Sequence, residues 1–348
     1  MSFVRPTMKS VAEKAGVSVM TVSRALRNQP NLPLTTRQRI QALAKEMGYR
    51  PNPMVSTLMA QLRGSRPHKD VPSICFVTAY PDPGHWRDLP YNVNAFHGAI
   101  ARAEELGYRV EHFCLTEPGM TFQRASRILR TQGISGLLIA PLPEPAPKFD
   151  MKWDWFCCAD IGSSLKSPIH HRAMVDHIAA MRLTYRSLWD LGYRRIGLAL
   201  RPMDDGVVDN KWYAGFSTEE HFSSPEIKVP VMIEADWREE TFLAWFKKYR
   251  PDAVITMHYD VKRWLEKAGY GVPRDVGVAL PDLSFQKMYP DVSGVDQRTE
   301  FVGAIAVDLV VEQLTHNERG IPKVPKIVMV QGVWVPGQTV RRQKPAQR

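Results

Sequence analysis

Cysteine is scarce: the 348 residues include four, Cys75, Cys114, Cys157 and Cys158, all inside apolar, strand-like runs and without metal-ligand spacing. That excludes a disulfide-built secreted module and a zinc centre, and it predicts buried, reduced thiols. Long apolar runs are also lacking. None approaches the roughly 20 residues needed to span a bilayer, and the opening MSFVRPTMKS has no apolar middle of the kind a secretory signal carries. The expected location is the cytoplasm, with no membrane partner. Catalytic signatures are missing as well, since GxGxxG, GxxxxGK[ST], HExxH and GxSxG do not occur. The adjacent pairs His170-His171 and Cys157-Cys158 do not replace them, because neighbours on a strand point to opposite faces. The expectation is a protein that is not an enzyme and needs neither cofactor nor metal.

Acid is the residue class missing from the N-terminus. Residues 1–70 hold 12 Lys and Arg against 3 Asp and Glu, whereas the other 278 residues hold 34 against 33. Nearly the whole basic excess of the chain therefore sits in its first fifth, which points to a polyanion at that end and other business elsewhere. With 44% apolar and 24% charged residues the chain is a folded one, long enough for about two or three units with their own cores.

The first 50 residues read as three short helices. The first begins near Ser10, capped by that residue or by Thr7, and puts Val11, Ala12 and Ala15 on one face before Gly16 allows a sharp turn. Ser18 caps a second helix in which Val22 and Leu26 face inward, leaving Val19, Met20, Ser23, Arg24 and Arg27 outside. Two helices joined by so short a turn form the helix-turn-helix arrangement, whose second helix enters the DNA major groove. Thr35 and Gln38, read as a capping box, start a third helix carrying Ile40, Leu43, Ala44 and Met47 to a stop at Gly48.

The stretches MKSVAEKAGVSVMTVSRALRN and TTRQRIQALAKEMGYRPNP resemble the N-terminal signature of the lactose-repressor (LacI/GalR) family of bacterial transcription regulators almost position by position. Further on, LGYRRIGLAL, PDAVITMHYD and VPRDVGVALPD resemble later strands of that family in the same order. The resemblance implies that Val19 and Met20 open the recognition helix at its variable positions and that Arg24 reads a base. Chemistry agrees, because Arg can donate twice to a guanine edge and apolar tips suit a thymine methyl group. Ser18, Thr21, Ser23 and Asn28 are candidates for phosphate contacts, which fix register without reading sequence.

PNPMVSTLMAQL, residues 51–62, carries helix-start signals at Asn52 and Pro53, yet a lone helix of about ten residues is marginal in water. The resemblance makes it a hinge helix that pairs with its dimer mate in the minor groove. There Leu58 would wedge between base pairs, with Val55 and Met59 packing the two hinges together, and apolar wedges of this kind kink DNA by unstacking a step. RGSRPHKDVP then reads as a linker.

Beyond the linker, the strand-like runs ICFVTAY, RVEHFCL, GLLIAP and WFCCAD alternate with helical stretches, and a second series follows with RIGLAL, VPVMI, AVITMH and VGVAL. Two such series imply two doubly wound parallel sheets with a ligand crevice at their strand ends. The expected fold class is therefore α/β: a three-helix head with a hinge helix, then a two-lobed core, which the resemblance makes periplasmic-binding-protein-like with three crossings between lobes. The expected domains are a head at 1–50, hinge and linker at 51–71, an effector-binding and dimerisation core at 72–340, and a basic tail at 341–348.

The resemblance places candidate effector-binding residues at His85 and Trp86 after the first strand, Asp160, Trp212, Tyr259 with Asp260, and Asp282. Carboxylates beside aromatics suit a sugar, since acids accept from hydroxyls and rings cover its apolar face. Trp212 stands where sugar-binding relatives usually have Arg, and Tyr259-Asp260 where they have Asn-Asp, so the resemblance names no particular sugar. The sequence thus predicts a dimeric, operator-binding repressor controlled by a small molecule, a carbohydrate being the best match. The alternatives are a regulator without effector control or acting as an activator, and, more remotely, a sugar-binding transport protein.

Overall fold

Runs that are apolar at every position become interior strands, because a strand in a doubly wound sheet is covered on both faces and has no polar side to show. The computed structural model of the chain describes residues 6–26, 32–49, 71–143, 149–223, 228–284 and 288–343. Asn28, Val55, Leu58 and Met59 lie outside the described residues, as do most of the expected linker and the end of the tail.

The head consists of α1 (Met8–Ala15), α2 (Val19–Leu26) and α3 (Leu34–Glu46). Val11, Ala12, Ala15, Val22, Ala25, Ile40 and Ala44 form its buried core, with Leu26, Leu43 and Met47 packed against it. One local expectation fails. Helix α3 begins at Leu34 with Pro33 at the cap position and no side-chain cap, so Thr35 and Gln38 lie inside the first turns and form no capping box. Pro33 supplies a fixed φ just ahead of the helix, and Leu34 already has helical backbone, which moves the start one residue ahead of the threonine pair.

The first lobe is a six-stranded sheet in the order β11-β5-β4-β3-β1-β2, from β1 (Ser73–Thr78), β2 (Arg109–Cys114), β3 (Gly136–Ile139), β4 (Cys157–Ile161), β5 (His171–Val175) and β11 (Ile327–Val330), all parallel. Helices α4 (Pro90–Glu105) and α11 (Thr299–His316) supply the apolar layer on one face. Helix α5 (Phe122–Thr131) and the turn at Trp153–Trp155 supply the other.

The second lobe repeats the plan in the order β12-β10-β9-β8-β6-β7, from β6 (Ile196–Leu200), β7 (Met232–Ile233), β8 (Ala253–Thr256), β9 (Gly277–Leu280), β10 (Ser293–Asp296) and β12 (Val333–Val335). Helix α6 (His177–Asp190), the short α7 (Pro202–Gly206) and α8 (Lys211–Ser223) follow in chain order, and α6 and α8 cover one face. Helices α9 (Glu239–Tyr249) and α10 (Asp260–Lys267) cover the other. Strand β12 runs antiparallel to β10, a departure from the all-parallel expectation at one edge. The chain passes between lobes at 175–177, 296–299 and 330–333. The four cysteines are buried and free.

Candidate DNA interface and effector cleft

The head is built so that one side of α2 is left outward. Thr7 Oγ1 accepts from the Ser10 amide at 3.2 Å while Ser10 Oγ accepts from the Thr7 amide at 2.9 Å, which satisfies two free donors at the start of α1. Gly16 takes a φ of +66°, a left-handed turn that closes α1 and aims the chain into α2. Ser18 Oγ accepts from the Thr21 amide at 3.1 Å and meets the Thr21 hydroxyl at 2.9 Å, capping α2. Arg39 donates to the Ala15 carbonyl and Gln41 to the Ala25 carbonyl, so side chains of α3 fasten the ends of both preceding helices.

With Val22 and Ala25 turned inward, Val19 is 44% and Met20 58% exposed, and Arg24 stands exposed one turn further on. Apolar side chains of that size on a surface next to an arginine cost solvent ordering unless a partner covers them. Ser18 is exposed, and Thr21 and Ser23 are half-buried on the flanks of the same helix.

In the core, parallel strands end together, and the loops after those ends form the crevice. The sequence candidates divide there. His85 is exposed and approaches Asp88 at 3.5 Å. Trp86 is 2% exposed within the first-lobe core, stacked on His112 with ring centroids 4.9 Å apart. Asp160 is consumed internally: His170 Nδ1 donates to it at 2.9 Å and Arg172 Nε at 3.3 Å. Trp212 is 1% exposed in the core between α6 and α8, its ring 4.7 Å from that of His177. Tyr259 stacks on Tyr289 at 4.0 Å, and Asp260 is exposed and paired with Arg263 at 2.7 Å. Asp282 follows β9 and accepts from the Ser284 amide at 2.7 Å and from its hydroxyl. Burial raises its carboxyl above the usual range against the pull of those hydrogen bonds, and the nearby charge of Asp296 adds to the rise. Tyr91 of α4, in the first lobe, feels the Asp282 charge, and burial lifts its phenol well above the ordinary range.

Further polar residues stand at these strand ends. His258, two residues after β8, donates from Nε2 to Asp204 at 2.6 Å, and Arg201 grips the same carboxylate from Nη2 at 2.7 Å. Burial would raise Asp204, but His258 and Arg201 override it and hold the group at about 2. Trp237 covers the His258 ring at 4.3 Å. His177 sits at the first crossing and Gln297 at the second, where Gln297 Nε2 donates to the Pro281 carbonyl at 3.1 Å. His177 Nδ1, Trp237 Nε1 and Gln297 Oε1 are buried without a hydrogen-bond partner. Buried polar atoms left unpaired are costly, and a partner from outside the chain would relieve that cost. The only sequence signal for His258 was its position at the end of an apolar strand run.

Burial also depresses His177 to about 3 from an ordinary value of 6.5. The unfolded chain then takes up a proton as pH falls below about 6.5 while the folded chain refuses one until about 3, so stability falls with pH across that window. A His177→Gln variant should lose less melting temperature than the parent between pH 7.5 and pH 5. Equal losses in thermal scans would show that His177 titrates normally.

Among the described residues no helix is long and apolar enough to cross a membrane, and no group of three His, Cys, Asp or Glu side chains could hold a metal ion.

Comparison with known proteins closes the case for the fold. The sequence pattern described as "Bacterial regulatory proteins, lacI family" matches residues 7–52, and that of a "Periplasmic binding protein-like domain" matches residues 185–340. The HTH-type transcriptional regulator CelR of Thermobifida fusca is 24% identical over 332 residues, covering 89% of this chain and 92% of that protein. The solved structure of a transcriptional regulator CelR–cellobiose complex is similar with a TM-score of 0.58 at 21% identity, covering 96% of this chain and all of that one. A lac repressor dimer bound to operator and the anti-inducer ONPF is similar with a TM-score of 0.55 at 22% identity, covering 97% and 99%. Residues 7–52 thus match the lacI family of bacterial regulatory proteins, and residues 185–340 match a periplasmic binding protein-like domain.

Proposed function

We propose that the chain is a sequence-specific, DNA-binding transcription regulator of the cytoplasm that represses as a homodimer and answers to a sugar or sugar derivative bound between its lobes. The observation that carries the DNA reading is the outward face of α2, where Val19, Met20 and Arg24 stand exposed on a domain that matches the lacI family. Arg24 is assigned to a guanine edge, Val19 and Met20 to thymine methyl groups, and Ser18, Thr21, Ser23 and Asn28 to the phosphates. Two heads related by a two-fold axis would read the halves of a pseudo-palindromic operator. Residues 51–71 are proposed as hinge and linker, with Leu58 wedging into the minor groove and Val55 and Met59 packing the two hinges together. Curated relatives of similar length are named HTH-type transcriptional regulators, which supports a regulator over an enzyme.

The effector reading rests on the unpaired atoms at the strand ends. Trp237 Nε1 is a donor, Gln297 Oε1 an acceptor, and neutral His177 offers Nδ1 in either role. A ligand rich in hydroxyls, each able to donate and accept, fits such a mixed set, and the Asp282 carboxylate would accept a further hydrogen bond from a hydroxyl. The similar CelR structure is a complex with cellobiose, which supports the class. Ligand binding can regulate only through a difference in affinity between lobe arrangements.

Thermal unfolding of the full chain against mono- and oligosaccharides, sugar phosphates and nucleosides tests this. A ligand at about a hundred times its dissociation constant adds roughly 2.7 kcal/mol, a shift of several degrees. The expected result is a carbohydrate hit that disappears in Asp282→Ala. A transition that no carbohydrate moves would overturn the effector reading and leave the DNA reading in place.

A further inference from the structure

The geometry points to a latch between the lobes, formed by Lys166 in the first-lobe loop after β4 and Asp209 in the second-lobe turn between α7 and α8, which holds the cleft in its present closure. It rests on the reading of the core as a two-lobed effector domain. Lys166 Nζ donates to Asp209 Oδ1 at 2.5 Å, and Lys211 Nζ donates to Oδ2 of the same carboxylate at 3.0 Å. The two lysines come from different lobes, so one carboxylate is shared across the division. Among the described residues, Lys166–Asp209 is the one ion pair that joins the lobes.

Both ends of the pair are anchored. Leu165 is 3% exposed in the first-lobe core, and its carbonyl accepts from Arg172 Nη2. Ser164 Oγ accepts from the Leu142 amide at 2.8 Å, which fixes the same loop. On the other side, the Asn210 amide donates to the Asp205 carbonyl at 2.8 Å, and Asp205 Oδ1 accepts from the Trp212 amide at 2.9 Å. Asp209 and Asn210 adopt φ values of 56° and 57° in succession. Two consecutive non-glycine residues in the left-handed region cost backbone energy and persist only where their surroundings fix them. A surface ion pair between two free side chains is worth little because ordering both opposes the attraction. Here the backbones beneath the pair are already held, which lowers that cost. Burial would raise the Asp209 carboxyl, yet Lys166 and Lys211 pull it below its ordinary value, in keeping with a carboxylate that stays charged between two ammonium groups.

The test reads lobe separation directly, without ligand. Nitroxide labels at Glu117→Cys, after β2, and Glu234→Cys, after β7, would report the distance across the cleft in the full chain, since the four native thiols are buried. Lys166→Gln and Asp209→Asn should each reduce the closed population roughly threefold, and the double variant should go no further, because either change removes the whole pair. Asparagine tolerates the left-handed backbone, so Asp209→Asn leaves the turn intact. Raising salt to about 1 M should move the parent to the variants' distribution and leave the variants unchanged. Distances in both single variants equal to the parent's, or additive shifts in the double variant, would overturn the latch. A sugar that stabilises the parent and Asp209→Asn equally, with unaltered distances, would also overturn it while leaving the effector reading standing. If no sugar binds, the effector reading falls alone, and opened distances in the variants still support the latch.

Discussion

Arg24→Ala is expected to weaken binding to the chain's own operator by about 5- to 150-fold, the equivalent of roughly 1–3 kcal/mol for a bidentate arginine–guanine contact. Its binding to unrelated duplex DNA at low salt should change far less, because that binding is carried by phosphate contacts summed over a strongly basic head. The protein should remain folded: Arg24 is exposed, and the head core of Val11, Val22, Ile40 and their neighbours does not include it. Fluorescence anisotropy on operator and scrambled duplexes at several salt concentrations measures both terms. Equal losses on the two duplexes would place Arg24 on the phosphates and remove it as a reader of sequence.

Gly303→Ala should cost the first lobe about 3 kcal/mol, at the upper end of the usual overpacking penalty, because the obstacle is main chain. A Cβ at Gly303 would lie 1.8 Å from the carbonyl oxygen of Ala95, and a Cβ at Gly98 would lie 1.8 Å from that of Glu300. Helices α4 and α11 thus cross at backbone contact, each glycine admitting the other helix. No rotamer change relieves such a clash, so the helices must separate and loosen Ala95, Ala99, Val302 and Ala306 against the sheet. Calorimetry should show the transition lowered by roughly 6–12 °C in a domain of this size. A change under about 2 °C would mean that the two helices can part without losing their contact with β1, β3 and β4.

Glycines such as these were not legible beforehand, because a close helix crossing depends on which distant segments meet. What was legible depended on local contacts. Thr7, Gly16 and Ser18 announce the helix ends of the head with interactions three or four residues apart, and the periodic apolar positions of α1 and α2 turn inward as expected. The strands could be read because ICFVTAY or AVITMH has no polar face. The start of α3 was misread because a Thr-to-Gln spacing imitates a capping box wherever it occurs, while the true start is fixed by Pro33.

The cleft was harder. Trp212 and Asp160 were expected near ligand from their places in the chain, yet Trp212 fills the space between α6 and α8 and Asp160 is paired inside the first lobe. His258 and Asp204, 54 positions apart, come together only when β6 and β8 lie side by side. Lys166 and Asp209 meet only when the two lobes do. Chemistry that depends on the register of neighbouring strands or the pose of two lobes leaves no periodic trace in a sequence.

A dimeric regulator must read DNA as a symmetric pair. Binding the full chain to a pool of randomised duplexes at physiological salt, followed by sequencing of the retained fraction, decides this. The account predicts a pseudo-palindromic motif with a guanine in each half that becomes degenerate in Arg24→Ala, and thymine preferences that relax in Met20→Ala. Retention without any enriched motif, or one motif unchanged in both variants, would contradict it.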